Sequence, residues 1–477
     1  MKYEIVVGLE VHVELSTKSK IFCSCTTEFG GDPNTHCCPV CTGMPGTLPV
    51  LNKSVVEYAI RAGLATNCAI TRATKFDRKN YFYPDLPKAY QISQLYLPIC
   101  RNGGVEIQVG DEKKVIGIHE IHMEEDAGKL VHDPLEDCTL ADYNRCGVPL
   151  LEIVSEPDFR SADEVVAYLE KLKATLQYIG VSDCKMQEGS LRADVNLSVR
   201  PAGTEQLGTR TEMKNMNSFK AIARAIQSEA DRQIGLLESG GQVVQETRRW
   251  DDGKGDSFAM RSKENAQDYR YFPEPDLPPV CISEEWIDRV KGELPELPDQ
   301  KQRRYMEQLG LPEYDTRMIT GTKAMADFFE ATVELCGQPK EVANWIMGDI
   351  FRRLNESDAQ PEDMTLKPEQ LAKLIGLVDK NVINRNTAKS VFEAVFTQGV
   401  DPEVYVKEQG LEMVSDTGMV EAVIQKALER NPQSVADYKG GKQKAFGFLV
   451  GQCMKELKGK ADPQQINALL HKALGDQ

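Results

Sequence analysis

The sequence predicts an α+β N-terminal domain with a mixed or antiparallel sheet, followed by two all-α C-terminal domains. Short segments of alternating polarity, separated by glycine turns, dominate the chain up to Leu277. A proline-dense stretch follows, and beyond Pro295 apolar residues recur at helical intervals while strand patterns almost vanish. A second break is expected near residues 399–402. The predicted domains are therefore residues 1–294, 295–400 and 401–477.

Composition places this chain among cytoplasmic globular proteins. Of its 477 residues, 41% are hydrophobic and 27% are charged, and no apolar run approaches the roughly 20 residues of a membrane span. The thirteen cysteines are an odd number and mostly scattered, which suits a reducing compartment. The net charge of −16 argues against indiscriminate coating of nucleic acid, so any contact with RNA must be regional.

Two segments predict strands with one polar face each. Residues 4–15 alternate so that aliphatic side chains share one side, while Glu10 and His12 lie on the other. Residues 190–199 repeat this arrangement, with Asp194 on the polar side. The two polar faces either converge on one site or simply meet water, as one side of an antiparallel sheet often does.

Four cysteines near the N-terminus have the spacing of a metal site. Cys23 and Cys25 are followed, after twelve residues, by Cys38 and Cys41. Two close pairs joined by a loop suit tetrahedral Zn²⁺, and four thiolates leave no position for a catalytic water. The metal would therefore stabilise the loop that carries the cysteines. The alternative is four reduced thiols that bind no metal.

Arg78, Lys79 and Lys88 are candidate phosphate-binding residues. They lie in a segment rich in tyrosine and proline, and the chain has neither a P-loop nor a G-x-G-x-x-G helix start. Side chains would therefore have to hold any nucleotide, although exposed lysines often do no more than meet solvent. The sequence also has no G-x-S-x-G motif and no activated cysteine, so we do not expect this chain to release ammonia itself.

Acidic residues between 122 and 152 suggest a second kind of metal site. Three consecutive acids follow Met123, and Glu152 is embedded among aliphatic residues. An ionised carboxylate in apolar surroundings requires a cation or a metal, or it takes up a proton. Carboxylates with one imidazole suit Mg²⁺ that shares its ligands with substrate phosphates. The alternative is a salt bridge from Glu152 to Arg145 or Arg192.

One helix in the N-terminal part is marked at both ends. Ser161 is a candidate N-cap, Glu164 completes a capping-box pattern, and Gly180 ends the segment. Its apolar stripe predicts a scaffold helix that packs on the sheet.

Lys439, Lys442 and Lys444 open a lysine-rich stretch near the C-terminus of this acidic chain. Lysines presented on a small helical module can bind phosphates by charge without reading sequence. The alternative is an ordinary solvated helical face.

Several long strings resemble the GatB family, the transamidating subunits of the aspartyl/glutamyl-tRNA amidotransferases. They are residues 7–15, 75–94, 122–129, 152–158, 188–192, 268–276 and 442–452. The resemblance implies a cradle domain, a helical domain and a tail domain that binds tRNA. It also implies two protein partners: an amidase-like glutaminase that makes ammonia from glutamine, and a small third subunit.

The same resemblance implies ATP-dependent phosphorylation of the side-chain carboxylate of Glu-tRNA(Gln) and/or Asp-tRNA(Asn), and then amidation. A subunit that only presents tRNA is the alternative. Carried over by motif, His12, Glu125 and Glu152 are the expected Mg²⁺ ligands, with Glu10 and Asp194 at the border of the same catalytic site. The four cysteines correspond to a structural zinc.

Overall fold

The computed structural model describes residues 3–133, 135–262, 269–357, 359–413, 417–457 and 463–475. The chain divides into two compact units, Met1–Gln300 and Lys301–Gln477. The first unit is rich in strands and forms a mixed sheet with helices, and the region 284–474 is largely helical. The coarse α+β followed by all-α prediction is thereby confirmed, whereas the boundaries at 294/295 and 400/401 stay predictions.

The strands of the first unit are β1 Tyr3–Glu14, β2 Ala69–Ile70, β3 Ala73–Thr74, β4 Asp77–Asn80, β5 Tyr90–Ser93, β6 Cys100–Val109, β7 Glu112–Glu125, β8 Lys129–His132, β9 Thr139–Asp142, β10 Pro149–Ser155, β11 Leu191–Pro201, β12 Thr211–Lys214, β13 Glu246–Asp251, β14 Asp256–Ser262, β15 Phe272–Pro273 and β16 Val280–Cys281.

The helices are α1 Lys53–Ala65, α2 Ala162–Tyr178, α3 Phe219–Glu238, α4 Glu284–Gly292, α5 Pro298–Leu309, α6 Glu313–Ile319, α7 Lys323–Cys336, α8 Pro339–Trp345, α9 Phe351–Ser357, α10 Pro368–Asp379, α11 Arg385–Gln398, α12 Pro402–Glu408, α13 Thr417–Arg430, α14 Pro432–Lys439, α15 Gln443–Glu456 and α16 Pro463–Leu474. A π-helical turn, Ile346–Ile350, joins α8 to α9.

Strand β1 lies inside a nine-stranded sheet, which we call the main sheet. The strand order is β14-β13-β12-β11-β1-β10-β7-β6-β2, and β12 and β13 are its parallel pair. Val7, Leu9, Val11 and Val13 on β1 are at most 1% exposed, because helices α1, α2 and α3 cover that face. The predicted alternation of β1 is confirmed, and the polar side chains occupy the opposite face.

Helix α2 forms at the predicted place. The Ser161 side chain accepts a hydrogen bond from the backbone N–H of Glu164 at 3.1 Å, and Gly180 follows the helix at φ +68°. The reciprocal bond differs from the expected capping box, because Glu164 accepts from the backbone N–H of Arg160 at 2.7 Å. Lys114 also binds the Glu164 carboxylate at 2.9 Å, so this residue ties the helix to β7.

A small three-stranded sheet stands beside the polar face of the main sheet. Its order is β15-β4-β5, and β5 contacts the end of β7. Gln91 donates to the Glu125 carbonyl at 2.8 Å, and Ser93 donates to the Glu124 carboxylate at 3.1 Å. We call this small sheet the wall and the polar face of the main sheet the floor.

Buried apolar residues of the second unit form two separate clusters. One runs from Tyr305 to Val406 and includes residues of α5 to α12, and the other runs from Val420 to Leu474 in α13 to α16. Within the described residues, no helix is long and apolar enough to cross a membrane.

Candidate active site

The floor collects polar residues from five neighbouring strands because their register aligns them. His12 on β1 lies opposite Glu152 on β10, which in turn lies opposite His122 on β7. One row away, Glu10 lies opposite Asp194 on β11. The predicted polar faces of residues 4–15 and 190–199 therefore converge on one surface of the sheet and do not merely meet solvent.

The first cluster on the floor consists of His12, Glu124 and Glu152. One ligand-type atom from each lies within 4.8 Å of the others. His12 Nε2 is 3.6 Å from Glu152 Oε2, and His122 Nε2 is 3.2 Å from the same oxygen. Two carboxylates and an imidazole at this spacing fit the donor set that a hard divalent ion uses alongside water and phosphate.

Electrostatic interactions within this cluster shift the pKa values of two histidines and of Glu152 in the direction that favours the charged form of each. Burial opposes the protonated rings, but the neighbouring carboxylates, with Glu152 foremost, together raise the pKa of His12 and raise that of His122 well above its ordinary value. Burial also opposes the Glu152 carboxylate, yet His122 and His12 hold its pKa well below the usual range. The floor therefore keeps Glu152 ionised and attracts positive charge.

A second cluster, Glu10, Asp194 and Glu212, lies next to the first, with ligand-type atoms also within 4.8 Å of one another. Lys214 forms an ion pair with Asp194 and lies 3.5 Å from Glu212. Asn196 donates to the Glu10 carboxylate at 2.9 Å. The three carboxylates are thus balanced in part by one ammonium group.

The structure does not bring the predicted ligand Glu125 to the His12 cluster. Its carboxylate forms an ion pair with Lys88 and accepts from the backbone N–H of Ile92 at 2.9 Å. Successive side chains of a strand point to opposite faces, so Glu124 and Glu125 cannot share the floor in this register. The predicted phosphate-binding residue Lys88 is therefore engaged with Glu125.

Alternation also separates Arg78 from Lys79 on strand β4. Arg78 binds Glu274 through two hydrogen bonds of 2.7 and 2.8 Å and lies 3.0 Å from Asp276. Lys79 lies on the side of the wall that faces the floor. Burial opposes its charge, but Glu124 leads the interactions that raise the pKa of Lys79. Of the three predicted phosphate-binding residues, Lys79 is the one beside the acidic cluster.

The four cysteines converge as their spacing predicts. The sulfur atoms of Cys23, Cys25, Cys38 and Cys41 all lie within 4.8 Å of one another, which suits a single tetrahedral ion. The pKa of Cys41 is lowered to about 4, first by a hydrogen bond from Cys23 and further by the backbone N–H of Cys38 and by the ammonium of Lys20. This convergence points to a structural metal, zinc by the nature of the ligands.

Lys20 is fully buried beside these thiols. Its ammonium lies 3.6 Å from Cys41 Sγ and 3.5 Å from the Tyr143 carbonyl oxygen, and the residue is 0% exposed. Among the described residues, no carboxylate forms a salt bridge with it. A buried ammonium needs an anionic partner, and thiolates held by a metal are the anions at hand.

The candidate tRNA-binding lysines lie on the surface of the second unit. Lys439 ends α14, and Lys442 and Lys444 follow in the turn and first residues of α15. All three are exposed, and Lys442 binds Asp437 at 3.0 Å.

Sequence reasoning missed several residues of this site, namely His122, Glu124, Lys20, Glu212 and Lys214. The alternation rule places residues 122 and 124 on one face of β7, but it does not say that this face is the floor. Lys20 and Lys214 carried no recognisable signal, since their roles depend on burial and on contacts with distant strands.

Comparisons with known proteins show which family the chain resembles over its length. The family model described as the GatB/GatE catalytic domain matches residues 5–288, and the GatB domain matches residues 327–474. The chain is 68% identical over 472 residues to the B subunit of the aspartyl/glutamyl-tRNA(Asn/Gln) amidotransferase from Lachnoclostridium phytofermentans, and the match spans 99% of both chains. The protein of the same name from Caldicellulosiruptor bescii is 62% identical, again over 99% of both chains. The one from Caldanaerobacter subterraneus is 58% identical, over 99% of this chain and 100% of the relative.

The contacts of Arg78 generate a prediction about stability. The Glu274 side chain is 0% exposed, so Arg78→Ala leaves a buried carboxylate without its main partner. We expect the free energy of unfolding to fall by about 3 kcal/mol in urea titrations followed by fluorescence. The double variant Arg78→Met with Glu274→Met is the control and should recover most of that loss. If Arg78→Ala is as stable as the unsubstituted chain, the structural role given to Arg78 is wrong.

Proposed function

The chain belongs to the GatB family of aspartyl/glutamyl-tRNA(Asn/Gln) amidotransferase subunits and carries the catalytic domain of that family, and on that premise we propose the reaction that its floor performs. ATP phosphorylates the side-chain carboxylate of Glu-tRNA(Gln) and/or Asp-tRNA(Asn), and ammonia then replaces the phosphate. The observation that carries this proposal is the gathering of His12, Glu124 and Glu152 on one face of the main sheet.

A carboxylate is a poor electrophile until one of its oxygens becomes a leaving group, and phosphorylation supplies that group. The difficulty is that two anions must meet on a floor that is itself acidic. Mg²⁺ held by His12, Glu124 and Glu152 would offset the negative charge of the phosphates. Glu10 and Asp194 border the same site. Glu125, the ligand expected from the motif, pairs with Lys88 on the opposite side of β7 and is not part of this set.

The wall adds a positive charge to those of the histidines and Lys214 on the main sheet. Lys79 faces the acidic cluster, and its ammonium stays protonated despite burial because Glu124 and Glu152 raise its pKa. It would hold a phosphate beside the floor and orient it toward the carboxylate. Arg78 has a structural role in this proposal, because its ion pair with Glu274 holds β4 in place within the wall.

The chain belongs to a multi-subunit enzyme that acts on tRNA. We assign ammonia production to an amidase-like glutaminase partner and the bracing of the pair to a small third partner, in the cytoplasm. None of the thirteen cysteines, all of which the structure describes, forms a disulfide, and this suits that compartment.

Zn²⁺ is our assignment for the cysteine cluster. The convergence of four cysteine sulfurs supports a closed structural site, and the buried Lys20 offsets part of the negative charge that four thiolates bring. The ion would close the loop between β1 and α1 without taking part in the reaction.

Residues 295–400 and 401–477 are proposed as separate helical domains, the second being the tail that binds tRNA. The two separate apolar clusters of the second unit support two helical domains, but Val406 belongs to the first cluster, so α12 packs with the first domain and not with the tail. The exposed lysines Lys439, Lys442 and Lys444 support the binding role.

The proposed ligand Glu152 is tested by Glu152→Gln in the assembled amidotransferase. Because a neutral amide binds a hard cation more weakly, the Mg²⁺ concentration for half-maximal amidation should rise at least about tenfold. Glutaminase activity, measured in parallel, should persist. Glu156→Gln is the control, since Glu156 pairs with His119 at the surface. An unchanged Mg²⁺ requirement in Glu152→Gln would remove Glu152 from the ligand set.

The choice between Glu124 and Glu125 follows from the same titration. The geometry favours Glu124, so Glu124→Gln should raise the Mg²⁺ requirement as Glu152→Gln does. A comparable shift in Glu125→Gln alone would instead support the ligand expected from the motif.

Zinc is tested by metal analysis and by chelator challenge. Cys38→Ser with Cys41→Ser should lose bound zinc and thermal stability, because two of four ligands are gone. Lys20→Met should release zinc about 10-fold faster to a chelator, since a charge beside the thiolates is lost. Lys18→Met is the matched control because Lys18 is exposed. Equal release rates for Lys20→Met and Lys18→Met would contradict the charge-balancing role.

The tail is tested by replacing Lys439, Lys442 and Lys444 with alanine. The KM for aminoacyl-tRNA should rise, and its logarithm should depend less steeply on salt concentration because phosphate contacts are lost. The turnover number at saturating tRNA should stay the same. A control with equal charge loss replaces the exposed residues Lys340, Lys367 and Lys389. If both triple variants change the KM equally, net charge and not the tail surface is responsible.

A further inference from the structure

Three tyrosines line the side of the wall that faces the floor. Phe272 pairs with Arg78, so Tyr271 comes opposite Lys79. Tyr81 follows β4 two residues after Lys79 and points the same way. Tyr269 lies between the other two rings, with centroid distances of 6.1 Å to each and edge-to-face angles of 73° and 75°.

Lys79 completes this aromatic group. Its ammonium lies 5.1 Å from the centre of the Tyr269 ring. The electrostatic neighbours of Tyr271 include Lys79, Glu124 and Glu152, which places the group at the edge of the metal cluster. The tyrosine rings thus adjoin the place where phosphates and a metal ion are proposed to meet.

Core packing alone does not account for these rings. All three are partly exposed, and among the described residues none hydrogen-bonds their hydroxyl groups. The Tyr271 hydroxyl can donate a hydrogen bond at neutral pH, as that of any tyrosine can, and burial raises its pKa further, to about 12. Asn80 donates to the carbonyls of Tyr269 and Arg270, at 3.3 and 2.9 Å, and so fixes the segment that carries two of the rings.

We propose that Tyr81, Tyr269 and Tyr271, together with Lys79, bind the adenosine part of a substrate. Aromatic side chains stack on nucleobases, and a lysine beside them binds the attached phosphate or ribose oxygens. Both substrates of the proposed reaction carry this group, since ATP has an adenine ring and the 3′ end of tRNA is an adenosine. The inference rests on the proposed function and assigns a substrate-binding surface to it.

The test uses the assembled amidotransferase with Tyr271→Leu, which keeps an apolar side chain but removes the ring. Three quantities are measured in the presence of Mg²⁺. They are the affinity for ADP, the affinity for tripolyphosphate, and the preference for CCA, which is the affinity for uncharged tRNA ending in CCA divided by that for the same tRNA ending in CC. We expect about a 10-fold loss either in ADP affinity or in the preference for CCA, with tripolyphosphate binding unchanged. The first result identifies ATP as the ligand, and the second identifies the tRNA end.

Controls separate this inference from loss of structure. Phe272→Leu removes the next ring along the chain, which packs near Arg78, and should leave all three quantities unchanged. Tyr271→Phe should bind nearly as well as the unsubstituted complex, and Tyr81→Leu provides a second variant should Tyr271→Leu fail to assemble. Unchanged ADP affinity and CCA preference, or an equal loss of tripolyphosphate binding, overturns the inference.

Failure of the proposed function would look different. If the unsubstituted complex forms no amide in an ATP-dependent manner, the proposed reaction fails. If it does so while Tyr271→Leu binds normally, only the adenosine surface is wrong.

Discussion

Repulsion between carboxylates on one half-buried face of the main sheet is the constraint on which the first unit depends. Glu10, Glu124, Glu152, Asp194 and Glu212 come from five strands and cannot all stay ionised without positive charge nearby. Part of that charge is built into the chain as the two histidines and as Lys214. The remainder must come from Lys79 on the wall and from metal cations that bind the floor, and the same positive charge is what anionic substrates would need.

Because side chains alternate along a strand, some charged residues face the floor, while their neighbours form ion pairs that stabilise the fold. On β4, Lys79 faces the acids while Arg78 fixes Glu274 on the other side. On β7, Glu124 faces the floor while Glu125 binds Lys88. Adjacent residues with the same charge therefore have different roles. Arg78 and Glu125, which do not face the floor, form ion pairs that hold the wall in position. The tyrosines on the wall add a surface suited to a nucleobase where the phosphates would arrive.

Much of this arrangement could be predicted from the amino-acid sequence. The period of two along residues 4–15 specifies strand β1 and its buried face, and the spacing of Cys23, Cys25, Cys38 and Cys41 specifies their convergence. The features that the sequence could not disclose depend on the register between paired strands and on how deeply a side chain is buried. A run of three acids does not say which one faces the floor, because that depends on the pairing of β7 with β10. Nothing in the composition around Lys20 signals that its ammonium lies in the protein interior.

The central place of β1 has a consequence for biosynthesis. The strand is translated well before its neighbours β10 and β11, which begin only at Pro149 and Leu191. Pairings so distant along the chain close slowly, and an apolar strand without neighbours is prone to associate with other chains. The nascent polypeptide must therefore shield β1 until β11 has been translated.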